Sequence, residues 1–390
     1  MASRPDISPA APGPAALLPA GLHDVLPPDA AREAAVIERV MATLAAHGYE
    51  RVKPPLIEFE ETLLSGPGAG LARDSFRLMD PISQRMMALR PDITPQVARV
   101  ARTRLINAPR PLRLCYSGQV LRVRGGHLRP ERQFAQVGAE LLGADSPAAD
   151  CEVAALAVEA LSAIGVGRLS LDLNVPTLVP SLMAAHGLAG DRAERLRHAL
   201  DRKDAAQVAA LAGPAAPVLE GLLSATGPAG AALDAVAALE LPGAASAALA
   251  RLVEAVSGVR ERLPDLPVTV DFVEHRGFEY QTGVSFTLFS RGVRGELGRG
   301  GRYVADHDGA SAEPATGFTL FMDSVLRALP PAEPVERLYL PADTPRAVAA
   351  DLRADGWVTV AGLAPEDDPE AEARRLGCGA VWVDGAVRRL

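Results

Sequence analysis

An amide and a carboxylate lie on one face of a predicted strand in the first half of the chain. Gln136 and Glu140 are four residues apart in the strand predicted over Gln133–Leu142, so both side chains project from the same face of the sheet. Their neighbours Val137 and Leu141 are apolar. Burying an amide and a carboxylate there is costly unless both are hydrogen-bonded, so we expect this pair to bind a ligand.

The segment that leads into this strand is rich in arginine. Its arginines are Arg113, Arg122, Arg124, Arg129 and Arg132, spread over a predicted strand–loop–strand. Clustered guanidinium groups suit bidentate binding of phosphate or carboxylate. A solvated hairpin loop over residues 124–131 explains the same charges equally well, and the sequence leaves both alternatives open.

Two further segments place charged and hydroxyl side chains at turns. Asp92 and Thr94 come between a strand end and a predicted helix, where they either contact a ligand or simply cap the helix. Arg276 stands before Gly277, which places a guanidinium at a sharp turn, and Tyr280 adds an aromatic hydroxyl nearby.

Other common kinds of chemistry find no support in the sequence. It contains no P-loop, GxSxG, HExxH or EF-hand pattern, and no helix start closely follows the glycine-rich segment Gly298–Tyr303. Cys115, Cys151 and Cys378 are scattered and form no CxxC pair, which indicates reduced thiols. We therefore expect no metal site, no cofactor and no nucleophilic hydrolysis.

Composition limits the class of protein. The 390 residues are 48% hydrophobic and carry a formal net charge of −8, which favours a soluble protein with sizeable cores and argues mildly against broad contact with nucleic acid. Residues 1–20 are rich in alanine and proline without a basic region, so we expect a flexible tail and no secretory signal. No apolar run approaches the roughly 18–20 residues of a membrane span. These features predict a cytoplasmic protein without membrane association.

Periodicity predicts an α+β fold, with an antiparallel sheet flanked by helices in residues 21–330. Helical spacing rich in alanine and leucine predicts a helical insertion over about residues 176–260. Residues 331–390 are predicted to form a small α/β unit. The predicted helices include Asp29–His47, Pro95–Leu105, Pro147–Ala163 and Gly317–Leu329, and the predicted strands include Leu114–Val123, Gln133–Leu142, Trp357–Val360 and Ala380–Val383.

In their order along the chain, these segments resemble the catalytic domain of class II aminoacyl-tRNA synthetases, specifically its histidine branch. The resemblance runs from about Gly21 to Leu329 and includes an insertion where that family carries one. The matching segments are the opening signature Gly21–Pro27, the first motif Tyr49–Leu56, the second motif Arg113–Gly138, the histidine-specific motif Arg276–Gly283 and the start of the third motif Ala315–Phe318. The first motif implies a homodimer interface.

The resemblance implies a histidine pocket. In the family, an acid and a threonine hold the α-amino group, a glutamine and a glutamate contact the amino group and the imidazole, and an arginine meets the carboxylate. The matching residues here are Asp92, Thr94, Gln136, Glu140, Arg276 and, for the first of two tyrosines, Tyr280. Gln281 replaces the second tyrosine, and Arg122 keeps the second-motif arginine, so both are further candidates for contact with a ligand.

The nucleotide side departs from the family. Arg124 stands where the second motif has a glutamate, which reverses the charge. Phe321 and Ser324 stand where the third motif has its glycine and its arginine. Losing that arginine removes electrostatic stabilisation of an adenylation transition state, so we expect no catalytic residues and no adenylation.

A histidine pocket without a nucleotide site, followed by a short, non-basic C-terminal segment, resembles the regulatory subunits of ATP phosphoribosyltransferase. This resemblance implies a hetero-oligomer with a short-form catalytic subunit, feedback inhibition by histidine as the effector, and no tRNA partner. Two alternatives stay open at this point. The chain could be a divergent active histidyl-tRNA synthetase, or a synthetase paralogue that acts in tRNA modification or translation control.

Overall fold

The structure is a computed structural model that describes residues 17–126, 129–274, 281–305, 312–331 and 335–390. The chain divides into two compact units. The larger unit is Pro19–Pro330, and the smaller one contains Pro331–Leu390.

The larger unit contains one long sheet, one small sheet and two groups of helices. Its strands are β1 (Glu50–Arg51), β2 (Ile57–Phe59), β3 (Arg77–Met79), β4 (Met86–Leu89), β5 (Leu112–Leu121), β6 (Gln133–Leu142), β7 (Leu169–Asn174), β8 (Gly227–Pro228), β9 (Val268–Val270), β10 (Gln281–Ser290), β11 (Gly298–Val304) and β12 (Pro314–Phe321). Its α-helices are α1 (Asp29–Ala46), α2 (Glu60–Leu63), α3 (Thr94–Thr103), α4 (Pro147–Ala163), α5 (Leu178–Ala185), α6 (Gly190–Asp201), α7 (Ala205–Ala212), α8 (Ala216–Ala225), α9 (Ala229–Val236), α10 (Gly243–Arg262) and α11 (Met322–Ala328).

The long sheet has nine strands in the order β1-β5-β6-β12-β11-β10-β7-β9-β8. All neighbouring strands from β5 through β7 pair in antiparallel fashion, which confirms the predicted antiparallel sheet for its central part. The sheet as a whole is mixed, because β1 pairs with β5 and β9 pairs with β7 in parallel. The small sheet has the order β2-β4-β3.

Helices α1, α4 and α10 belong to the main hydrophobic core. Most of α4 is buried, and its alanines allow close packing because they present little side-chain volume. α10 approaches α4 closely at Gly258, where a β-carbon would lie 2.5 Å from Cys151 Sγ.

One predicted element was partly wrong. The segment Gly317–Leu329 was predicted to be helical throughout, but its first part belongs to strand β12, and helix α11 begins only at Met322. Thr316, Phe318 and Leu320 alternate along β12 at the spacing of a strand. The pairing of β12 with β6 on one side and β11 on the other outweighs the helical pattern.

Residues 178–262 form the predicted helical region, α5 to α10, with the two-residue strand β8 inside it. Among the described residues, the helical stretch Ala205–Ala225 is long and apolar enough to cross a membrane, which is weak evidence because core helices meet the same test. Val208, Leu219 and Leu222 of this stretch are fully buried in the main core.

The smaller unit is an α/β layer built on a four-stranded sheet. Its elements are β13 (Arg337–Leu340), α12 (Arg346–Ala354), β14 (Val358–Ala361), α13 (Pro369–Arg375), β15 (Ala380–Val383) and β16 (Ala386–Arg389). The strand order is β14-β13-β15-β16, with the first three parallel and β16 antiparallel. The sequence predicted β14 to within one residue and β15 correctly, but β13 and β16 were missed.

Candidate functional site

A cavity of about 790 Å³ opens beside the middle of the long sheet. Strands β6, β10, β11 and β12 contribute side chains to its wall, and so do the start of α3 and residues 69–74. The predicted residues that line this cavity are Asp92, Thr94, Arg122, Glu140 and Gln281. The fold therefore brings together residues that are up to 189 positions apart in the chain (281 − 92).

Glu140 is the most deeply buried carboxyl group of this cavity, with 1% of its surface exposed. The Thr94 hydroxyl donates to its Oε1 at 2.9 Å, and the Tyr303 hydroxyl donates to its Oε2 at 3.0 Å. The Tyr116 hydroxyl lies 3.3 Å from Oε1. Burial raises the pKa of Glu140 to about 8, although the hydrogen bonds from Thr94 and Tyr303 act in the opposite direction. Burial therefore favours the protonated form of Glu140 in the absence of a ligand.

Two glycines on neighbouring strands make room for this cluster. Gly317 of β12 pairs with Glu140 of β6, and a β-carbon on Gly317 would overlap with Glu140 Oε2. Gly138 pairs with Tyr116 of β5, and a β-carbon there would overlap with the Tyr116 hydroxyl. Both strand glycines thus mark a close approach of a side chain to backbone, which is a known reason for glycine in a strand.

Asp92 is held from two sides. Its Oδ1 accepts a hydrogen bond from the backbone N–H of Thr94 at 2.9 Å, and its Oδ2 accepts one from Gln136 Nε2 at 2.9 Å. The first of these bonds closes a turn ahead of α3, whose N-cap is Ile93 and has no side-chain cap, so Asp92 is not the capping residue that the alternative interpretation predicted. Gln136 is fully buried behind Asp92, and its Oε1 accepts a hydrogen bond from the N–H of Ile93 at 3.2 Å. In this state Gln136 orients Asp92.

Gln281 offers a free acceptor. Its Nε2 donates to the carbonyl of Gly300 at 3.2 Å, while its buried Oε1 has no hydrogen-bond partner among the described residues. A buried acceptor without a partner is costly and rare, so its presence in a cavity wall indicates a place for a donor from a ligand. Arg276 and Tyr280, the two remaining predicted residues, fall in residues 275–280 and lie outside the described residues.

Side chains of this chain fill the region where the family resemblance implies a nucleotide. The Arg129 guanidinium lies 3.8 Å from the centroid of the Phe321 ring, and its Nε donates to Asp323 Oδ2 at 3.1 Å. Its Nη2 lies 3.4 Å from Ser324 Oγ, which is almost fully buried. Arg129 therefore covers the face of Phe321. The Arg122 guanidinium, 5.2 Å from the ring centroid of Phe134, lines the cavity beside it.

Sequence reasoning missed Tyr116 and Tyr303, whose hydroxyls contact Glu140, and Thr319, whose hydroxyl contacts Tyr116. The Tyr116 and Thr319 hydroxyls lie 2.8 Å apart and extend the cluster into β12. Hydroxyl side chains at buried strand positions could have indicated these residues. Which of them face Glu140 can be decided only when the pairing register of the strands is known. Among the described residues, no group of three or more His, Cys, Asp or Glu side chains is arranged to hold a metal ion.

Comparison with known proteins gives the family. The family model described as histidyl-tRNA synthetase matches residues 21–325. An ATP phosphoribosyltransferase regulatory subunit from Paramagnetospirillum magneticum is 59% identical over 363 residues, which cover 93% of this chain and 95% of that protein. The chain belongs to the ATP phosphoribosyltransferase regulatory subunits, within the histidyl-tRNA synthetase family. This membership confirms the resemblance predicted from the sequence.

More distant relatives agree. A protein of the same name from Pseudomonas aeruginosa is 38% identical over 93% of this chain and 94% of its own length. The solved structure of an ATP phosphoribosyltransferase regulatory subunit/histidyl-tRNA synthetase from Bacillus halodurans superposes with a TM-score of 0.79 at 26% identity, covering 96% of this chain and 97% of that one. The histidyl-tRNA synthetase of Nostoc sp. shares the fold at 17% identity, with a TM-score of 0.78 over 95% of this chain and 91% of that one.

Proposed function

We propose that this chain is the non-catalytic regulatory subunit of an ATP phosphoribosyltransferase, required by a short-form catalytic subunit in the first step of histidine biosynthesis. It contributes to feedback inhibition by binding histidine in the cavity around Glu140. The observation that carries this proposal is the combination of a built amino-acid pocket with a covered nucleotide side. The names of the relatives support the role as a subunit of that complex.

The polar groups of the cavity suit the chemistry of histidine. Asp92 and the Thr94 hydroxyl accept hydrogen bonds from an α-ammonium group, as the family resemblance implies. Glu140 carries a proton in the empty pocket, and a cationic amino group or imidazolium close to it favours its ionised form. Gln281 Oε1 accepts one further N–H. The family resemblance implies that Arg276 meets the carboxylate and that Tyr280 belongs to the pocket, and both lie outside the described residues.

The same geometry disfavours adenylation. A purine that stacked on Phe321 would have to displace Arg129, which an ion pair with Asp323 at 3.1 Å holds in place. Ser324 offers a hydroxyl where the synthetases use an arginine, and the nearest guanidinium groups, those of Arg129 and Arg327, are engaged by Asp323. We therefore expect the chain to sense histidine without activating it.

The proposal includes the assembly and its place in the cell. We place the chain in the cytoplasm, in a hetero-oligomer with the catalytic subunit and without tRNA. A homodimer through Tyr49–Leu56 is compatible with the position of β1 at one edge of the long sheet, where β5 is its pairing partner among the described strands. Histidine regulates the assembly only if it binds the inhibited state more tightly than the active one, and a coupling of about 1–3 kcal/mol suffices for feedback.

The proposal is tested by titrating the purified chain with histidine in a calorimeter. Thr94→Val removes the hydroxyl that donates to Glu140 while keeping the branched shape, and we expect its affinity for histidine to fall at least about tenfold, as the loss of a hydrogen bond to a buried group implies. Thr103→Val, at the exposed end of the same helix, is the matched control. Equal affinities in the wild type and Thr94→Val contradict the pocket assignment. Histidine-dependent exchange of pyrophosphate into ATP would instead reveal an active synthetase.

A further inference from the structure

A second cavity lies at one end of the long sheet, away from the cavity around Glu140, which we call the histidine cavity. It encloses about 1000 Å³ between the end of α4, the loop after α10 and the turn that follows β10. The two cavities share no lining residue. We call this second space the arginine-rimmed cavity, after Arg168, Arg262 and Arg291 on its edge.

The three rim arginines come from three separate elements and are exposed. In the part of the chain that the structure describes, none of them forms an ion pair, although Asp265 also lies on the rim. Other arginines, such as Arg113 and Arg302, are paired with acids, and what distinguishes this site is that three exposed arginines line one cavity. Three guanidinium groups around one cavity make this a locally basic site on a chain whose net charge is −8, and, besides Arg113, Arg262 also helps to lower the pKa of the Glu152 carboxyl.

Local backbone geometry holds two of these arginines together. Arg168 has a positive φ of 51°, which is uncommon for a residue with a side chain, and Gly292 opposite has a φ of 95°. The N–H of Arg291 donates to the carbonyl of Arg168 at 3.1 Å. A β-carbon on Gly292 would lie 3.3 Å from Arg168 Nη2, so the guanidinium of Arg168 lies over this turn. The rim is thus built by the fold and does not consist of independent surface side chains.

The floor of the arginine-rimmed cavity is apolar. Val166 and Leu169 are buried in it, and Phe289 is 37% exposed although it stands in a strand that is otherwise largely buried. Such a floor suits an apolar side chain, while the rim suits carboxylates beside it. A nucleic acid would call for a wider basic surface than three arginines provide.

We propose that the arginine-rimmed cavity is the docking site for an acidic segment of the ATP phosphoribosyltransferase catalytic subunit, which inserts an apolar side chain next to its carboxylates. This inference rests on the proposed function. Charge complementarity decides the occupant, because a positive rim on an acidic chain steers an acidic partner and repels basic ones. Docking here leaves the histidine cavity free for its ligand.

The test uses the full chain and the short-form catalytic subunit of the same organism. The triple variant Arg168→Glu, Arg262→Glu, Arg291→Glu reverses the rim, and Phe289→Asp places a charge in the apolar floor. A matched triple variant with the same change in net charge, Arg195→Glu, Arg197→Glu, Arg346→Glu, alters exposed arginines of α6 and α12. Affinity between the subunits is measured by sedimentation at two salt concentrations, and histidine affinity of each variant alone shows that it is folded.

We expect the rim variant and Phe289→Asp each to bind the catalytic subunit at least about tenfold more weakly, as expected for reversing or burying charge at an interface, with the matched triple and histidine affinity unchanged. Raising the salt concentration should weaken wild-type binding but not that of the rim variant.

If the wild type binds and stimulates the catalytic subunit and the rim variant does so equally well, the docking site is wrong while the proposed function stands. A wild type that neither binds nor stimulates overturns both. If the rim variant loses only self-association, the cavity binds a second copy of this chain, and the proposal is overturned. If it loses only ATP binding, the cavity binds a small anion, and the proposal is overturned as well.

Discussion

Replacing Glu140 by glutamine should change how the stability of the protein depends on pH. Burial holds the pKa of Glu140 at about 8 in the folded chain, whereas an unfolded glutamate titrates near its ordinary value of 4.5. Between these values the folded state binds one more proton than the unfolded state. The stability that this proton contributes is fully present below the unfolded pKa and is lost as pH rises through the folded pKa, by about 1.36 kcal/mol per pH unit.

From about pH 5.5 to about pH 7.5 the wild type should therefore lose roughly 2–3 kcal/mol that Glu140→Gln does not lose. Glu274, whose pKa burial raises to about 7, contributes in the same direction but equally in both proteins, so the difference between the two curves isolates Glu140. Urea unfolding should be followed by far-UV circular dichroism, because both tryptophans, Trp357 and Trp382, belong to the smaller unit. Parallel pH curves for the two proteins would refute the argument that Glu140 is protonated at neutral pH.

Two further substitutions test the packing around the site. Gly317→Ala puts a methyl group where Glu140 Oε2 lies, so we expect a loss of about 1–3 kcal/mol in urea unfolding and weaker histidine binding by calorimetry; unchanged binding contradicts the close approach. The Asp150 carboxylate lies 2.8 Å from Arg302 Nη2, and 4% of its side chain is exposed. Arg302→Met removes the cation that pairs with this buried carboxylate, so we expect the free energy of unfolding to fall by about 3–5 kcal/mol. Adding Asp150→Asn to that variant should recover part of the loss, and a purely additive double variant argues against the pairing.

The long β-strands could be predicted because their sequence patterns are strong. Gln133–Leu142 and the helix Pro147–Ala163 have the predicted bounds, since each is a long apolar segment with clear signals at its ends. The segment Gly317–Phe321 could not be assigned in this way. Its strand conformation depends on pairing with β6 and β11, which lie far away in the sequence and leave no local signal.

In the candidate site, too, some residues could be predicted from the sequence and others could not. Family motifs identified Asp92, Thr94 and Glu140, because each motif keeps its residue types in a fixed order. The role of Gln136 was only partly predicted, since its contact with Asp92 depends on the position of α3 over β6. That Arg129 covers Phe321 could not be predicted, because a loop arginine gives no sign of which ring it will meet.

The central claim is that this chain activates a catalytic subunit and relays histidine inhibition through the cavity around Glu140. Formation of phosphoribosyl-ATP by the short-form catalytic subunit tests it most directly, measured with and without this chain and over a range of histidine concentrations. We expect the wild-type chain to raise the rate and histidine to lower it again. Thr94→Val should raise the rate equally but require at least about tenfold more histidine for inhibition. A chain that leaves the rate unchanged, or a Thr94→Val complex inhibited at the same histidine concentration as the wild type, contradicts it.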